Sequence, residues 1–328
     1  MQRLSPGVNF SWYERYWESY ETIMGKDFQP IIKQIDRAGF NTIRLPVHFD
    51  MFLESNNQFK TAFLQKLQSI YQVCAQRKLN LVIVYHYGKI NEQNTDAELQ
   101  RIIGLWKQLL DTFRGIGYDN LIFELYNEPT IDKWVWKYAI EKIVPALRNN
   151  DNNRFFIVGA SNYNGANELL EMGRLGDDKT IYTFHFYEPY VFTHQGAEWT
   201  KEKTYITGYP YPYSARKMHR LKRADAGSLV ADEYNRYPRE ANSEYLLERL
   251  TQILTDCKNA GIPVMCTEFG VIKTVPKKSK YNYFTDVTAI FTSLKIPAIV
   301  WDWDDRFTIN YREGRSIKPI RKWVKRER

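Results

Sequence analysis

The chain has 328 residues, of which 44% are hydrophobic, 15% are aromatic and 26% are charged. This composition excludes collagen-like, low-complexity and intrinsically disordered proteins, because it supplies enough apolar surface to offset the entropy lost on folding. The formal net charge is +8, but the segment 312–328 alone holds eight Lys or Arg and only two Glu. Such a terminal run is typical of a solvated final helix, so we expect no nucleic-acid partner.

The sequence shows neither a membrane span nor a cysteine framework. No apolar run approaches the roughly 20 residues that a membrane helix needs, and the first ten residues lack the apolar centre of a signal peptide. We therefore expect neither a membrane segment nor a signal peptide within this sequence. Cys74, Cys257 and Cys266 show no CxxC or Cys/His spacing, which favours buried free thiols over disulfides or a zinc site.

Short apolar runs alternate with amphipathic helical patterns along the whole chain. Runs such as LNLVIVY and RFFIVGA are apolar at successive positions, as expected for parallel strands covered on both faces. The pattern predicts eight strands, at residues 7–10, 42–47, 79–85, 121–126, 154–159, 180–186, 263–267 and 298–301.

Eight strand-helix units in a chain of this length favour an α/β fold of the closed (β/α)8 TIM-barrel type over an open doubly wound sheet. No GxGxxG or P-loop motif supports the open sheet. We expect residues 1–328 to form a single domain. The interval from strand six to strand seven is roughly 80 residues, which predicts an enlarged, aromatic-rich loop at about 188–240 without clear helical periodicity.

Polar side chains occupy the carboxyl ends of the predicted strands, where (β/α)8 enzymes carry their reactive groups. These residues are Arg44, His86, Asn127, Glu128, His185, Tyr187, Glu268 and Trp301. Glu128 and Glu268 follow strands four and seven, so their side chains can face each other across the barrel mouth. Two opposed carboxyl groups suit glycosidic bond cleavage, because one protonates the leaving oxygen while the other stabilises or attacks the anomeric carbon.

The segments TIRLP, YNEP, HFY, TEFG and VWDW, in this order along the strands, resemble the glycoside hydrolases of family 5. This family consists of retaining (β/α)8 enzymes and includes many cellulases. The resemblance implies that Glu128 is the acid/base and Glu268 the nucleophile, and that Asn127 bonds the 2-hydroxyl of the sugar. It further implies that Tyr187 lies near the nucleophile, and that His185 and Trp301 lie beside and beneath the sugar, respectively.

The two roles require different ionisation states of the two carboxyl groups. The acid/base needs a raised pKa, whereas the nucleophile must stay ionised, and Arg44 is the cation expected to keep Glu268 charged. Because a barrel core also needs partners for buried polar groups, a purely structural role for Arg44 or His86 stays open. Glu124 shares the strand parity of Glu128 and is predicted to be a structural carboxylate paired with Arg44.

The backbone at Glu128 is also predicted from the sequence. Pro129 follows it directly, and a proline restricts the residue before it, so we expect an extended conformation at Glu128.

The remaining aromatic and histidine residues are less informative. Trp199 is predicted to form part of a distant sugar subsite, while five other tryptophans are either sugar platforms or core residues: Trp12, Trp17, Trp134, Trp136 and Trp303. No metal-ligand spacing exists among the other three histidines, so no role is assigned to His48, His194 and His219.

The sequence therefore predicts a retaining β-glycoside hydrolase, and specifically an endo-β-1,4-glucanase of the cellulase type that needs no cofactor or metal. A β-mannanase or another β-glycoside hydrolase of the same family remains an alternative, as does a non-catalytic glycan-binding protein. The expected partner is a β-linked polysaccharide or oligosaccharide, and we expect the protein to be a monomer. By resemblance, its expected location is secreted or periplasmic.

Overall fold

The computed structural model describes residues 1–200, 207–218, 220, 229–312 and 315–327. Eight parallel strands form a closed barrel in chain order, with the last strand pairing with the first. The strands are β1 (Gly7–Asn9), β2 (Thr42–Val47), β3 (Asn80–Tyr85), β4 (Leu121–Glu124), β5 (Phe156–Gly159), β6 (Thr180–Phe186), β7 (Val264–Phe269) and β8 (Ala298–Val300). The predicted (β/α)8 barrel is confirmed, and every predicted strand is present with its ends shifted by no more than two residues.

Helices occupy the connections between the strands. The described helices are α1 (Tyr20–Gly25), α2 (Gln29–Ala38), α3 (Thr61–Gln76), α4 (Thr95–Thr112), α5 (Lys133–Arg148), α6 (Ser161–Asn164), α7 (Ala166–Met172), α8 (Tyr190–Thr193), α9 (Leu229–Glu240), α10 (Ser243–Asn259), α11 (Lys277–Leu294) and α12 (Lys318–Glu327). A small antiparallel sheet of β9 (Asn310–Arg312) and β10 (Arg315–Ser316) precedes α12. The longer helices bury one apolar face, as in α3, whose Phe63, Leu67, Ile70 and Cys74 are buried.

The barrel interior changes from apolar to polar along the strands. Its apolar layer is a separate buried cluster of Leu4, Val82, Ile122, Ile157, Ile181, Met265 and Ile299. Because side chains on one face of a strand recur every two residues, the next inward positions lie nearer the carboxyl ends. On β4, β6 and β7 these positions hold three buried polar residues, Glu124, Thr183 and Thr267. The strands thus place a polar layer directly beneath the barrel mouth.

The segment between β6 and β7 is enlarged, as predicted, but it contains more helix than predicted. It contains α8 and α9 as well as α10, so the prediction of 188–240 as a loop without helices is wrong for Tyr190–Thr193 and Leu229–Glu240. A single turn such as α8 shows no readable period, and α9 contains Pro238, which weakens the helical signal. Tyr209 and Tyr211 of this segment are buried, and the hydroxyl of Tyr211 donates to Asp286 of α11 at 2.9 Å. Tyr205 and His219 lie outside the described residues.

The basic terminal segment forms a helix with a solvated charged face, as predicted. Helix α12 buries Pro319, Ile320, Trp323 and Val324, while its Lys and Arg side chains are exposed.

Cys74, Cys257 and Cys266 are buried free thiols, as predicted. None of the described helices combines the length and hydrophobicity required to cross a bilayer.

Candidate active site

The barrel mouth brings the two predicted carboxylates together. Glu128 follows β4, while Glu268 lies near the end of β7 and is the register partner of His185 on β6. A carboxylate oxygen of Glu128, one of Glu268 and a ring nitrogen of His185 all lie within 4.8 Å of one another. Residues at the carboxyl ends of β4, β6 and β7 therefore converge at the barrel mouth.

Arg44 is the centre of the buried hydrogen-bond network. Its Nε and Nη2 each donate to a carboxylate oxygen of Glu124 at 2.7 Å. Its Nη1 donates to Oε1 of Glu268 at 2.6 Å and to Oδ1 of Asn9 at 2.8 Å, and Nη2 also donates to Oδ1 of Asn127 at 2.7 Å. These five bonds use all five N–H groups of a guanidinium. The predicted pairing of Glu124 with Arg44 is confirmed.

Glu268 accepts a second hydrogen bond from Tyr187, whose hydroxyl lies 2.8 Å from Oε2. Burial raises the pKa of Glu268, and the charge of Glu128 acts in the same direction. Interactions with His185 and with the cationic Arg44, together with the Tyr187 hydrogen bond, oppose this rise. Arg44 does favour the ionised form, as expected, but desolvation is the larger effect and the net direction is upward.

Glu128 has a backbone conformation that the sequence does not predict. Its φ is +47°, in the left-handed region, so the predicted extended conformation before Pro129 is wrong. A non-glycine residue in this region is strained by about 1 to 3 kcal/mol, and contacts in the folded protein must hold it there. Oε1 of Glu128 lies 2.7 Å from Nδ1 of His185, which is one such contact.

The environment of Glu128 favours a protonated carboxyl group. Although 29% of its side chain is exposed, burial raises its pKa to about 7, with Glu124 contributing in the same direction and Arg44 opposing. Burial also lowers the pKa of His185 to about 4, so this imidazole is neutral near pH 7. The pair is therefore held together by a hydrogen bond with no full charge on the ring.

His86, Asn127 and Trp301 form the neighbouring side of the site. Nδ2 of Asn127 lies 3.4 Å from Nε2 of His86, whose ring stacks against Trp301 at a centroid distance of 5.8 Å and an interplanar angle of 20°. Gly270, after β7, allows the backbone to approach Trp301, because a Cβ there would lie 2.2 Å from the Trp301 carbonyl oxygen. The glycine of TEFG thus has a packing role. The structure places all eight predicted strand-end residues at this mouth.

Glu14 belongs to the same site, although the strand-end pattern does not predict it. It lies in the loop after β1, is 2% exposed, and places Oε2 3.4 Å from Nε2 of His86. Burial raises its pKa to about 8, while a hydrogen bond with Tyr87 acts in the opposite direction. In the sequence Glu14 stands beside Arg15 in a polar and aromatic segment that shows no burial pattern. Only its position shortly after β1 could have marked it as a residue of the site.

The tryptophans divide into core and surface residues. Trp136 and Trp303 are buried core residues, and Trp136 donates its indole N–H to the Gly159 carbonyl at 2.8 Å. Trp12 is partly buried and donates to Asp304. Trp17 and Trp134 are half-exposed.

Three loops of the barrel mouth meet at Arg306, which follows β8. Its guanidinium lies 5.7 Å from the ring centroid of Trp17, in the loop after β1, and 4.9 Å from that of Trp199, after β6. Trp199 also lies beside His194 and Phe307, and the rings of both contact Tyr187. Trp199 is therefore connected to the site through packed rings while 47% of it remains exposed.

Within the described residues, Glu128, His185 and Glu268 also form a cluster of the kind that could hold a metal ion. In the structure these groups are already hydrogen-bonded: His185 to Glu128, and Glu268 to Arg44 and Tyr187. Hydrolysis without a metal or cofactor stays a prediction.

The chain is similar to known proteins over nearly its whole length. The family profile described as Cellulase (glycosyl hydrolase family 5) matches residues 5–307. Endoglucanase 3 of Fibrobacter succinogenes is 27% identical over 98% of this chain, which spans only 52% of that protein. Endoglucanase C of Acetivibrio thermocellus is 26% identical, with 98% of this chain and 96% of that protein covered.

Solved structures show the same fold. A structure described as an endoglucanase has a TM-score of 0.80 and 20% identity, covering 98% of this chain and 97% of its own. Cel5A of Thermotoga maritima, in complex with mannotriose, has a TM-score of 0.78 and 20% identity, with 98% of both chains covered. The family profile, matching residues 5–307 across all eight barrel strands, shows that the chain belongs to glycosyl hydrolase family 5.

Proposed function

We propose that this protein is a retaining endo-β-1,4-glucanase in which Glu268 is the nucleophile and Glu128 the acid/base. The observation that supports this proposal most directly is the approach of their carboxylate oxygens to within 4.8 Å. Retaining glycosidases hold their two carboxyl groups ~5 to 5.5 Å apart, whereas inverting enzymes need ~6.5 to 9.5 Å to admit a water molecule. The separation here fits direct attack on the sugar.

In the first step, Glu268 attacks the anomeric carbon and forms a glycosyl ester, while the bond to the leaving oxygen breaks. Glu128 gives its proton to that oxygen, and the shortened chain departs as an alcohol. The pKa of about 7 keeps Glu128 protonated at mildly acidic pH, as this step requires.

In the second step, the ionised Glu128 removes a proton from water, and the resulting hydroxide equivalent attacks the same anomeric carbon. The ester bond to Glu268 breaks, which restores the carboxylate, and Glu128 regains its proton. Two displacements at one carbon return the sugar with its original configuration.

The other residues at the mouth bind and orient the groups that react. Asn127 is held by Arg44 and is suited to bond the 2-hydroxyl of the sugar, an interaction that strengthens in the transition state. Arg44 and Tyr187 fix the two oxygens of Glu268. Trp301, stacked against His86, offers an apolar ring face beneath the sugar.

The proposed substrate is a β-1,4-linked glucan, because several relatives that match 98% of this chain are endoglucanases. A polymeric substrate cannot cross a cell membrane, so we place the enzyme in a secreted or periplasmic location. We further propose that it acts as a monomer, without a cofactor, metal or nucleic acid.

Two measurements test this function. Release of reducing ends should be fastest on carboxymethylcellulose when compared with glucomannan, mannan and xyloglucan, and the viscosity of the polymer should fall early, as cleavage within chains requires. Glu268→Gln should abolish the activity, whereas Glu171→Gln, at a surface ion pair with Lys133, should not. Faster hydrolysis of mannan would establish the mannanase alternative, and glycan binding without hydrolysis by the unmodified protein would establish the binding-protein alternative.

Product stereochemistry tests the mechanism independently of substrate preference. Proton NMR during early turnover should show the β-anomer first, followed by slow mutarotation. Early appearance of the α-anomer would contradict the double displacement.

A further inference from the structure

Asn164 approaches the acid/base pair from the loop after β5. It ends a turn in which Asn162, Tyr163 and Asn164 all have positive φ, of 54°, 60° and 57°. Gly159, the last residue of β5, makes room for it, since a Cβ at that position would lie 2.0 Å from Oδ1 of Asn164. The side chain of Asn164 is completely buried, and its Nδ2 lies 3.1 Å from Nε2 of His185. The turn thus serves to place an amide against the imidazole.

Both nitrogens of the His185 ring have close neighbours. Nδ1 lies 2.7 Å from Oε1 of Glu128, and Nε2 also lies 3.2 Å from Oγ1 of Thr267. With only 2% of its side chain exposed, His185 depends on these neighbours for its hydrogen bonds. A neutral imidazole has one N–H group and one unprotonated nitrogen, so the neighbours determine which nitrogen carries the proton.

The amide of Asn164 distinguishes the two tautomers. An NH₂ group can only donate, so with Nδ2 of Asn164 beside Nε2 this nitrogen is the acceptor, while Oδ1 of the same amide is buried without a hydrogen-bond partner among the described residues. A proton on Nε2 would set two donors against each other at 3.1 Å, between a buried amide and a ring that is only 2% exposed. The hydroxyl of Thr267 also lies 2.7 Å from Oγ1 of Thr183 and donates to Oε1 of Glu124 at 3.5 Å, so the tautomer assignment rests on the amide of Asn164.

We infer that Asn164 is a positioning residue that holds His185 in the tautomer with its proton on Nδ1. His185 then donates to Oε1 of Glu128, and this oxygen is already an acceptor when substrate binds. The proton that Glu128 gives to the leaving group must therefore reside on Oε2. In the other tautomer, Nδ1 would accept a hydrogen bond from a protonated Oε1 of Glu128, and the proton would be held away from the leaving oxygen.

This consequence for catalysis rests on the proposed role of Glu128, whereas the tautomer itself does not. The first experiment is accordingly independent of activity: NMR of the full-length protein with ¹⁵N-labelled histidine, with the ring signals of His185 assigned by their loss in His185→Gln. We expect a protonated Nδ1 and an unprotonated Nε2 near pH 7. Protonation at Nε2 would overturn the inference, and this spectrum of the unmodified protein does not depend on any variant folding.

The second experiment replaces the donor with an acceptor. Asn164→Asp keeps the size of the side chain and the tolerance for positive φ, but its carboxylate calls for a proton on Nε2. We expect the ring signals to change to protonated Nε2. Asn162→Asp, two residues earlier in the same turn but exposed, adds the same charge and should leave the His185 signals unchanged. A variant Asn164→Asp that retains protonation only at Nδ1 would overturn the inference.

Kinetics of the same variants separate the inference from the proposed function. For Asn164→Asp, kcat/KM on cellotetraose should fall by about ten-fold or more, because its leaving group needs a proton. On a dinitrophenyl cellobioside, which departs without one, kcat/KM should change less than about two-fold. A switched tautomer with equal losses on both substrates would contradict the acid role of Glu128 while the tautomer assignment stands.

Discussion

Nη1 of Arg44 lies 2.6 Å from Oε1 of Glu268, and both side chains are buried in the barrel mouth. Arg44 gives this carboxylate only one hydrogen bond, whereas it gives two to Glu124. The ionisation of Glu268 therefore depends on a cation that is shared with a structural carboxylate.

This sharing predicts that Arg44→Lys impairs the enzyme although the positive charge is kept. An ammonium group cannot reproduce the planar set of bonds to Glu124, Glu268 and Asn127, and it loses its proton more readily when buried. Because Arg44 lowers the pKa of Glu268, its loss should raise that pKa further, and the acid limb of the kcat/KM profile should move to higher pH. We expect kcat/KM to fall by about 100-fold near pH 6.

The control is Arg77→Lys, which alters a partly exposed ion pair with Asp36 far from the barrel mouth. It should leave both the rate and the pH profile unchanged. An acid limb in Arg44→Lys that coincides with that of the unmodified enzyme would show that Arg44 does not govern the ionisation of Glu268.

The pKa of Glu128 predicts the pH at which kcat/KM begins to fall on the basic side of the pH profile. Glu128 must be protonated to release a natural leaving group, and its pKa is about 7 in the free protein. We therefore expect kcat/KM on cello-oligosaccharides to decline as the pH rises through about 7. Glu128→Gln should remove this limb when activated aryl glycosides are assayed. A basic limb that persists in Glu128→Gln would assign it to another group.

The raised pKa of Glu14 leads us to expect that the stability of the folded protein depends on pH. The folded protein holds it protonated up to a pKa of about 8, whereas in the unfolded chain it ionises near 4.5. Between these values the folded state binds more protons, so the contribution of Glu14 to stability decreases as pH rises. Glu14→Gln, which cannot ionise, should raise Tm by about 2 °C or more at pH 8.5 and have little effect at pH 4.5.

Differential scanning calorimetry at the two pH values checks this expectation, with Glu21→Gln on the exposed side of α1 as the control. A difference in Tm between Glu14→Gln and the unmodified protein that is the same at both pH values would contradict the buried, protonated state of Glu14.

The exposed ring of Trp199 leads us to expect that the effect of its removal on kcat/KM depends on the length of the substrate. Half of its ring is exposed, and it is supported by Phe307 and Arg306 at the rim of the mouth. A ring in this position can bind a sugar unit remote from the bond that is cleaved, and such binding energy assists the reaction only for long substrates. Trp199→Ala should therefore reduce kcat/KM on carboxymethylcellulose several-fold more than on an aryl cellobioside.

The exposed Trp134 at the start of α5 supplies the control, since Trp134→Ala removes a ring that is 59% exposed, compared with 47% for Trp199. Equal losses of Trp199→Ala on long and short substrates, together with a large drop in Tm, would show that Trp199 anchors its loop instead.

Much of the fold could be predicted because the barrel imposes simple patterns on the sequence. A parallel strand covered on both faces must be apolar at successive positions, as in the segment around Val82 and Ile83, and each strand is therefore visible as a run. The residues at strand ends, such as Glu268 and Tyr187, could be predicted because the chain direction alone fixes which end of a parallel strand faces the mouth.

The parts of the site that depend on loop conformation could not be predicted. Glu14 and Asn164 lie in loops, and their burial results from contacts with distant strands. The left-handed backbone of Glu128 opposes the local preference before Pro129, so only the surrounding structure can determine it. Most aromatic residues of the segment after β6 are likewise ambiguous in sequence, since Tyr211 is buried while Trp199 is exposed.

The network around Arg44 has a consequence for the charge of the site during turnover. Arg44 and Glu124 form an ion pair whose charges cancel, so in the resting enzyme the ionised Glu268 gives the buried site one net negative charge. When Glu268 becomes an uncharged ester in the proposed mechanism, Glu128 has lost its proton and carries that charge instead. The site thus keeps the same net charge in the resting enzyme and in the covalent intermediate. Neither step has to bring a new charge into a low-dielectric interior, where an uncompensated charge is costly, and the one negative charge is always available to attract the cationic sugar of the transition state.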